Sequence, residues 1–183
     1  GSVKEVEGLD LKKFWSESFQ VAALAKWFAE RGTGVDPDIA FTAGLIHNIG
    51  RLLLHLAQPK QAQAIQAQVE ASNCSRSDAE VDQLGFSSSE AGKALLDMWR
   101  FPKELGEAVL QHKDITRFDT PSPLAALVNL ACVVQSANQN GDSIDLLREN
   151  VPTEIAKIAG LPTEIFDSLE EALHLESGLE GIA

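Results

Sequence analysis

The apolar residues of the chain recur at helical spacing, and no segment shows the sustained alternation of a half-buried strand. One set of aromatic and aliphatic residues repeats at intervals of three, four or seven positions: Phe14, Val21, Leu24 and Phe28. The segment from Leu11 to Arg31 is therefore predicted to form an amphipathic helix that ends at Gly32. The pattern as a whole predicts an all-α fold, a bundle of helices.

Capping signals give the approximate bounds of the other predicted helices. Asp36-Pro37 combines an N-cap residue with a proline at the first helical position, and it predicts a buried helix that continues to about Leu56. Ser87 to Glu90 has the capping-box pattern and predicts a helix that ends near Arg100. Further helices are predicted at 60–71, 102–112, 124–134, 152–159 and 162–175. Residues 73–78 are predicted to be a loop, and residues 138–142 a polar turn.

The composition excludes several classes of function. Lysine and arginine total 15 against 27 acidic residues, which gives a formal net charge of −12. That balance opposes binding to nucleic acid and to anionic membranes. The most apolar stretch, 39–56, contains two histidines, an asparagine and an arginine, which make it too polar for a membrane span. Cys74 and Cys132 show no metal-binding or disulfide spacing, so a reducing cytoplasmic location is expected.

Several polar side chains interrupt faces that should point inward. Glu17 shares a face with the apolar residues of the first predicted helix, and His47 and Asn48 interrupt the second. His112 and Cys132 lie on apolar faces of two later helices. Each has an ordinary structural explanation, such as a buried histidine bonded to the backbone or a cysteine acting as a small hydrophobic residue. The group is more informative than any member.

Five runs of sequence resemble the HDOD domain, an output domain of bacterial signalling proteins related to the HD-domain metal-dependent phosphohydrolases. They are FWSES (14–18), AGLIHNIG (43–50), LGFSSSEAG (84–92), MWRFP (98–102) and PLAALVNLAC (123–132). The resemblance implies an HD-like helical core over 11–135, with a C-terminal helical extension packed on it over 136–183. Residues 1–10 are expected to be a lead-in that begins with a tag remnant, Gly1-Ser2. The N-terminal helical half that usually precedes this region in the family has no counterpart here.

The resemblance also implies that the metal site of the phosphohydrolases is degenerate. Glu17 occupies the place of a first-helix histidine ligand, and His47-Asn48 that of the paired histidine and aspartate. Ser88 stands where some relatives have a histidine. Gln111 and His112 match a histidine pair, and Cys132 the final aspartate. Only two imidazoles remain, and hard cations need several negatively charged oxygen donors. No metal, no cofactor and no catalysis are expected.

The function implied is therefore a regulatory or interaction module that binds a signalling protein or a neighbouring domain. Three alternatives stay open: a metal-dependent phosphohydrolase acting on a nucleotide or cyclic nucleotide, a new zinc site, and a folding unit for the absent half. The zinc site would use Glu17, His47, His112 and Cys132. A small ligand in the vestigial pocket is also left open, although the acidic surroundings argue against phosphate capture. Arg51 and Arg100 are not expected to converge on it.

Overall fold

A computed structural model describes residues 6, 8–32 and 34–177 of the chain. The described part contains one isolated bridge, between Val6 and Leu9, and no strand. Its α-helices are α1 (Leu11–Arg31), α2 (Pro37–Ile46), α3 (Ile49–Ala57), α4 (Pro59–Ser72), α5 (Arg76–Leu84), α6 (Ser88–Met98), α7 (Lys103–Gln111), α8 (Pro123–Gln139), α9 (Ile144–Glu149), α10 (Thr153–Ile158) and α11 (Leu169–Ser177). Two 3₁₀ turns cover Ile115–Arg117 and Thr163–Ser168. The all-α prediction is confirmed, and Gly1-Ser2 lies outside the described residues.

The predicted N-caps are present and explain where the helices begin. The side chain of Asp36 accepts hydrogen bonds from the first backbone amides of α2. Ser87 and Glu90 form a reciprocal capping box at the start of α6, and Ser122 accepts from the amide of Ala125 at the start of α8. These bonds satisfy amides that have no partner within the helix.

Helix α8 lies at the centre of the bundle, as its nearly uniform apolar character predicts. It packs against α1, α2, α7 and α10, and α11 covers part of α1. The helices after residue 136 thus share the main core with α1 and α8. A second, smaller core lies where α3 meets the α4–α5 pair, formed by Leu54, Ala62, Ile65 and Ala79. The cavity described below lies between these two parts.

The single helix predicted from Pro37 to Leu56 is wrong, because the chain breaks at His47 and Asn48 into α2 and α3. Asn48 has φ −109° and ψ 18°, outside the helical region. The change of direction brings Gly50 against α6, so closely that a Cβ atom there would lie 1.8 Å from the Ser88 carbonyl oxygen. Helix α3 thereby packs on α6 rather than continuing along α1.

The loop predicted at residues 73–78 is also partly wrong, since α5 begins at Arg76. The sequence of α5 is mostly polar, which hides it from a search for apolar periodicity. Its signals are local: the Ser75 side chain accepts from the amide of Asp78, and Gly85 ends the helix in the left-handed region at φ 81°. Helix α9 was not predicted either, because its six residues are too few to show a helical period.

The segment Pro37–Ala57 is long and apolar enough, by length and composition, to cross a membrane. In the fold this segment is α2, the break at His47-Asn48, and α3, which pack on α1 and α6 respectively. That arrangement is the one expected of a core segment in a helical bundle.

Candidate functional site

A cavity of about 670 Å³ opens where the α2–α3 break faces α8 and the start of α5. Four of the seven sequence-predicted site residues line it: His47, Asn48, His112 and Cys132. The other three, Glu17, Ser88 and Gln111, are not part of its wall. The structure thus brings these four residues together. By the family resemblance they match the paired histidine and aspartate, one later histidine and the final aspartate of the phosphohydrolase metal site.

The two histidines form a pair fixed by backbone hydrogen bonds. Nδ1 of His47 lies 2.6 Å from the Gly44 carbonyl oxygen, and Nδ1 of His112 lies 2.8 Å from that of Val109. Because a carbonyl can only accept, both Nδ1 atoms carry the proton and Nε2 is left as the acceptor. The rings meet edge to face, with 5.3 Å between their centroids.

Burial keeps this pair uncharged at neutral pH. The pKa of His47 is lowered from 6.5 to about 4, mainly because burial removes the ring from water. Its hydrogen bond to the Gly44 carbonyl oxygen raises the pKa but does not offset this effect. Burial and then the neighbouring His47 hold the pKa of His112 well below its usual value. Burial likewise raises the pKa of the Cys132 thiol to about 12. Cys132 is therefore a neutral thiol in this environment.

Ser88 and Gln111 serve the packing of helices instead of the cavity. Both the amide and the hydroxyl of Ser88 donate to Oε1 of Glu80, each at 2.9 Å, in a fully buried contact between α6 and α5. Oε1 of Gln111 accepts from the amide of Ser122, 2.8 Å away, and so links the end of α7 to the start of α8. These are hydrogen bonds between elements.

Glu17 remains on α1, beside the cavity but turned to other partners. Its Oε1 accepts from Nε2 of Gln139 at 3.1 Å and lies 3.9 Å from Nζ of Lys13. It does not compensate for the carboxylates that the HD pattern would need at Asn48 and Cys132.

Three cations converge on the cavity, contrary to the expectation from sequence. Arg51, Arg76 and Lys113 all line it, whereas Arg100 does not. Burial, followed by the charge of Arg76, lowers the pKa of Arg51. Lys113 is an exposed residue at the edge of the cavity. Partial loss of solvent lowers its pKa, the Glu80 carboxylate opposes this, and the charges of Arg76 and Arg51 add to it. None of the ion pairs among the described residues uses any of the three.

The sequence contains signals that could have found this cluster. Lys113 directly follows His112, and Arg51 lies one helical turn beyond His47. Arg76 could be placed only by recognising α5, whose first turn borders the cavity.

The donor set of the cavity does not fit the metal that the HD fold implies. Within the described residues, no group of three histidine, cysteine or acidic side chains could hold a metal ion. The proposed zinc set of Glu17, His47, His112 and Cys132 is therefore not assembled. Moreover, three positive charges at 51, 76 and 113 would repel a divalent cation through Coulomb forces.

A sequence model of the HDOD domain matches residues 2–115. The chain belongs to the HDOD family. No curated protein matched the HDOD chain. Its fold is shared with solved bacterial structures. One is a candidate phosphohydrolase from Shewanella amazonensis SB2B, with 28% identity and a TM-score of 0.79.

Two further solved structures show the same fold at lower identity. An HDOD domain protein of unknown function from Geobacter sulfurreducens has a TM-score of 0.78 at 21% identity. A candidate signal transduction protein from Marinobacter aquaeolei VT8 has a TM-score of 0.76 at 20% identity. The matches cover 96%, 94% and 98% of this HDOD chain, but only 66%, 63% and 40% of the respective relatives. The chain thus spans less than two thirds of their length.

Proposed function

We propose that the chain is a non-catalytic module of bacterial signal transduction that acts by binding a signalling protein or a neighbouring domain. The observation that carries this proposal is the chemistry of the cavity wall. The resemblance implies that Asn48 and Cys132 take the positions of carboxylates in the phosphohydrolases, and three cations line the same space. Water activation by a bound dication needs the opposite distribution of charge. The signalling description of the Marinobacter protein agrees with this class of function.

An exposed apolar turn between α6 and α7 supports binding of a partner. Met98, Trp99 and Phe101 are 75%, 59% and 38% exposed, and the two aromatic rings lie 6.3 Å apart. Methionine and aromatic side chains are enriched at protein interfaces. We name residues 98–101 the aromatic turn.

The alternative is a metal-dependent phosphohydrolase, which the description of the Shewanella protein favours. An assay with p-nitrophenyl phosphate and bis(p-nitrophenyl) phosphate, in the presence of Mn²⁺, Fe²⁺ or Mg²⁺, separates the two. We expect equal background release from the chain and from its His47→Ala variant. Metal-dependent release that disappears in His47→Ala would establish the enzyme instead.

Partner binding is tested by affinity capture from an extract of the source organism. Trp99→Ser should lose the partner that the unmodified chain recovers. Leu56→Ser, a matched change at a residue that is 59% exposed on α3, should retain it. Equal recovery of the partner by both variants would exclude the aromatic turn as the binding surface. Recovery of the chain alone, together with a dimer in solution, would favour the folding-unit alternative.

A further inference from the structure

The cavity has two chemically different ends. At one end lie the three cations and the serines at the start of α5, Ser75 and Ser77. At the other end α8 and α9 contribute an apolar wall with amide side chains, made by Val133, Ala137, Leu146, Leu147, Asn140 and Asn150. A volume of about 670 Å³ lies within the range of small-molecule sites.

The cationic end contains hydrogen-bonding groups without a protein partner. Nε of Arg51 is buried and unpaired. A buried donor without a partner costs free energy, so its presence at a cavity indicates a ligand acceptor. Arg76 is partly engaged, because its Nη2 donates to Oε1 of Gln66. The start of α5 adds amides that have no helical partner, which favour anions.

Among the residues that line the cavity, the acids are fewer than the cations. Asp142 lines the cavity, and the carboxylate of Glu80 lies behind the wall, fully buried, with Oε1 bonded to Ser88. The charge of Glu17 also acts on Arg51. None of these carboxylates lies within 4.0 Å of a charged nitrogen of Arg51, Arg76 or Lys113 among the described residues. In a chain of net charge −12, this is a local reversal of sign.

Asn129, a residue of α8 in the cavity wall, also offers an unused acceptor. Nδ2 of Asn129 donates to the His112 carbonyl oxygen at 2.8 Å, while its Oδ1 is buried without a partner. A ligand that joins an anionic group to an organic part with a hydrogen-bond donor would pair with both the Nε donor of Arg51 and the Oδ1 acceptor of Asn129.

We infer that the cavity binds a small organic phosphate of about nucleotide size, with the phosphate at Arg51, Arg76 and Lys113 and the organic part against α8 and α9. Guanidinium and ammonium groups are the usual partners of phosphate oxygens in proteins. The inference rests on the proposed function only in that the bound molecule is retained and not hydrolysed. Such a ligand would couple the α2–α3 break, α5 and α8, and would give the module a chemical input.

Calorimetric titration of the full chain with AMP, adenosine and inorganic phosphate tests the inference. AMP should bind at least about tenfold more tightly than either of its parts. Arg76→Gln and Lys113→Gln should each weaken AMP by about tenfold or more, as expected for one charge-assisted hydrogen bond. Lys103→Gln is a matched change at an exposed residue of α7, and this variant should bind AMP as the unmodified chain does.

The inference is overturned if AMP does not bind, or if Arg76→Gln and Lys113→Gln leave its affinity unchanged. Inorganic phosphate that binds as tightly as AMP would also contradict it, since the apolar wall would then contribute nothing. Phosphate release is followed in the same samples. Cleavage of bound AMP would refute the non-catalytic function while leaving the site itself established, so the two failures are distinguishable.

Discussion

At the scale of single residues, the cavity wall combines neutral side chains, since the amide of Asn48 and the thiol of Cys132 lie there with the close pair His47 and His112. By the family resemblance, Asn48 and Cys132 are expected at positions where the phosphohydrolases have carboxylates. Each imidazole keeps a backbone carbonyl bound to its Nδ1 atom, an arrangement that also orients histidine ligands in metalloproteins. The backbone thus orients both rings of the pair.

The histidine pair predicts a loss of stability in mild acid. Both imidazoles have a lower pKa in the folded than in the unfolded chain, so the unfolded state binds protons first as the pH falls. Their contribution is complete above about pH 6.5 and declines toward pH 4, by up to about 1.4 kcal/mol per pH unit for each group. Urea unfolding between pH 7.5 and 5 measures this slope.

His47→Gln should make that slope shallower, because one proton-binding difference is removed. Identical slopes for the unmodified chain and His47→Gln would show that the imidazole is not held neutral by burial.

Two neighbouring serines provide a second prediction. The Ser88 hydroxyl donates to the buried Glu80 carboxylate, whereas the Ser89 hydroxyl is buried without a partner. Ser88→Ala should lower the free energy of unfolding by about 2 kcal/mol, the usual effect of a hydrogen bond to a charged group. Ser89→Ala should change it by less than about 0.5 kcal/mol or raise it. Chemical denaturation of both variants measures the two free energies of unfolding. A smaller loss of stability for Ser88→Ala than for Ser89→Ala would contradict the hydrogen bond assigned between Ser88 and Glu80.

Only some of these residues could be placed correctly from the sequence. The inward position of His47, His112 and Cys132 follows from helical periodicity, because each shares a face with apolar neighbours. Ser88 and Gln111 belong to interhelical hydrogen bonds, whose partners Glu80 and Ser122 are 8 and 11 residues away and on other elements. Such partners are fixed by how helices pack, which a single sequence does not specify.

At the scale of elements, the break between α2 and α3 determines where the cavity opens. Two glycines permit the close packing on either side of it. A Cβ atom on Gly44 would lie 2.6 Å from Cα of Ala22 in α1, and one on Gly50 would lie 1.8 Å from the Ser88 oxygen. The starts of α2, α6 and α8 were predictable because caps or prolines mark them, whereas α8 extends to Gln139, beyond its predicted end. The break was not predictable, because no proline follows Asn48 and its side chain makes no capping hydrogen bond.

Gly50→Ala should therefore destabilise the chain, although alanine is the better helix former. The added methyl group meets backbone atoms that cannot rotate away, so we expect a loss of about 3 kcal/mol or more in thermal or urea unfolding. Gly106→Ala on α7 is the matched control. Its nearest neighbour is the Oδ1 atom of Asp97, 3.3 Å away at the end of a flexible side chain, so this variant should gain up to about 1 kcal/mol. Equal stability of the two variants would contradict the packing described for α3 on α6.

At the scale of the whole molecule, an acidic chain encloses a pocket with three basic side chains. Net charge predicted the solvent-facing surface but not this local reversal, because Arg51, Arg76 and Lys113 come from three separate segments. The two cores explain how they meet: α8 anchors the main bundle, while α3, α4 and α5 form the smaller cluster that brings Arg76 to the cavity. A fold can be assigned from helical pattern and family resemblance, whereas the charge of its pocket depends on this assembly.

The most direct test of the account is the metal content of the purified chain after incubation with Mn²⁺, Fe²⁺ or Zn²⁺ and removal of free ions. Because the cavity joins two neutral imidazoles to three cations, we predict well below one bound ion per chain for each metal, with no difference in His47→Ala. Binding of about one ion per chain that is lost in His47→Ala would contradict the account and favour the metal-dependent phosphohydrolase.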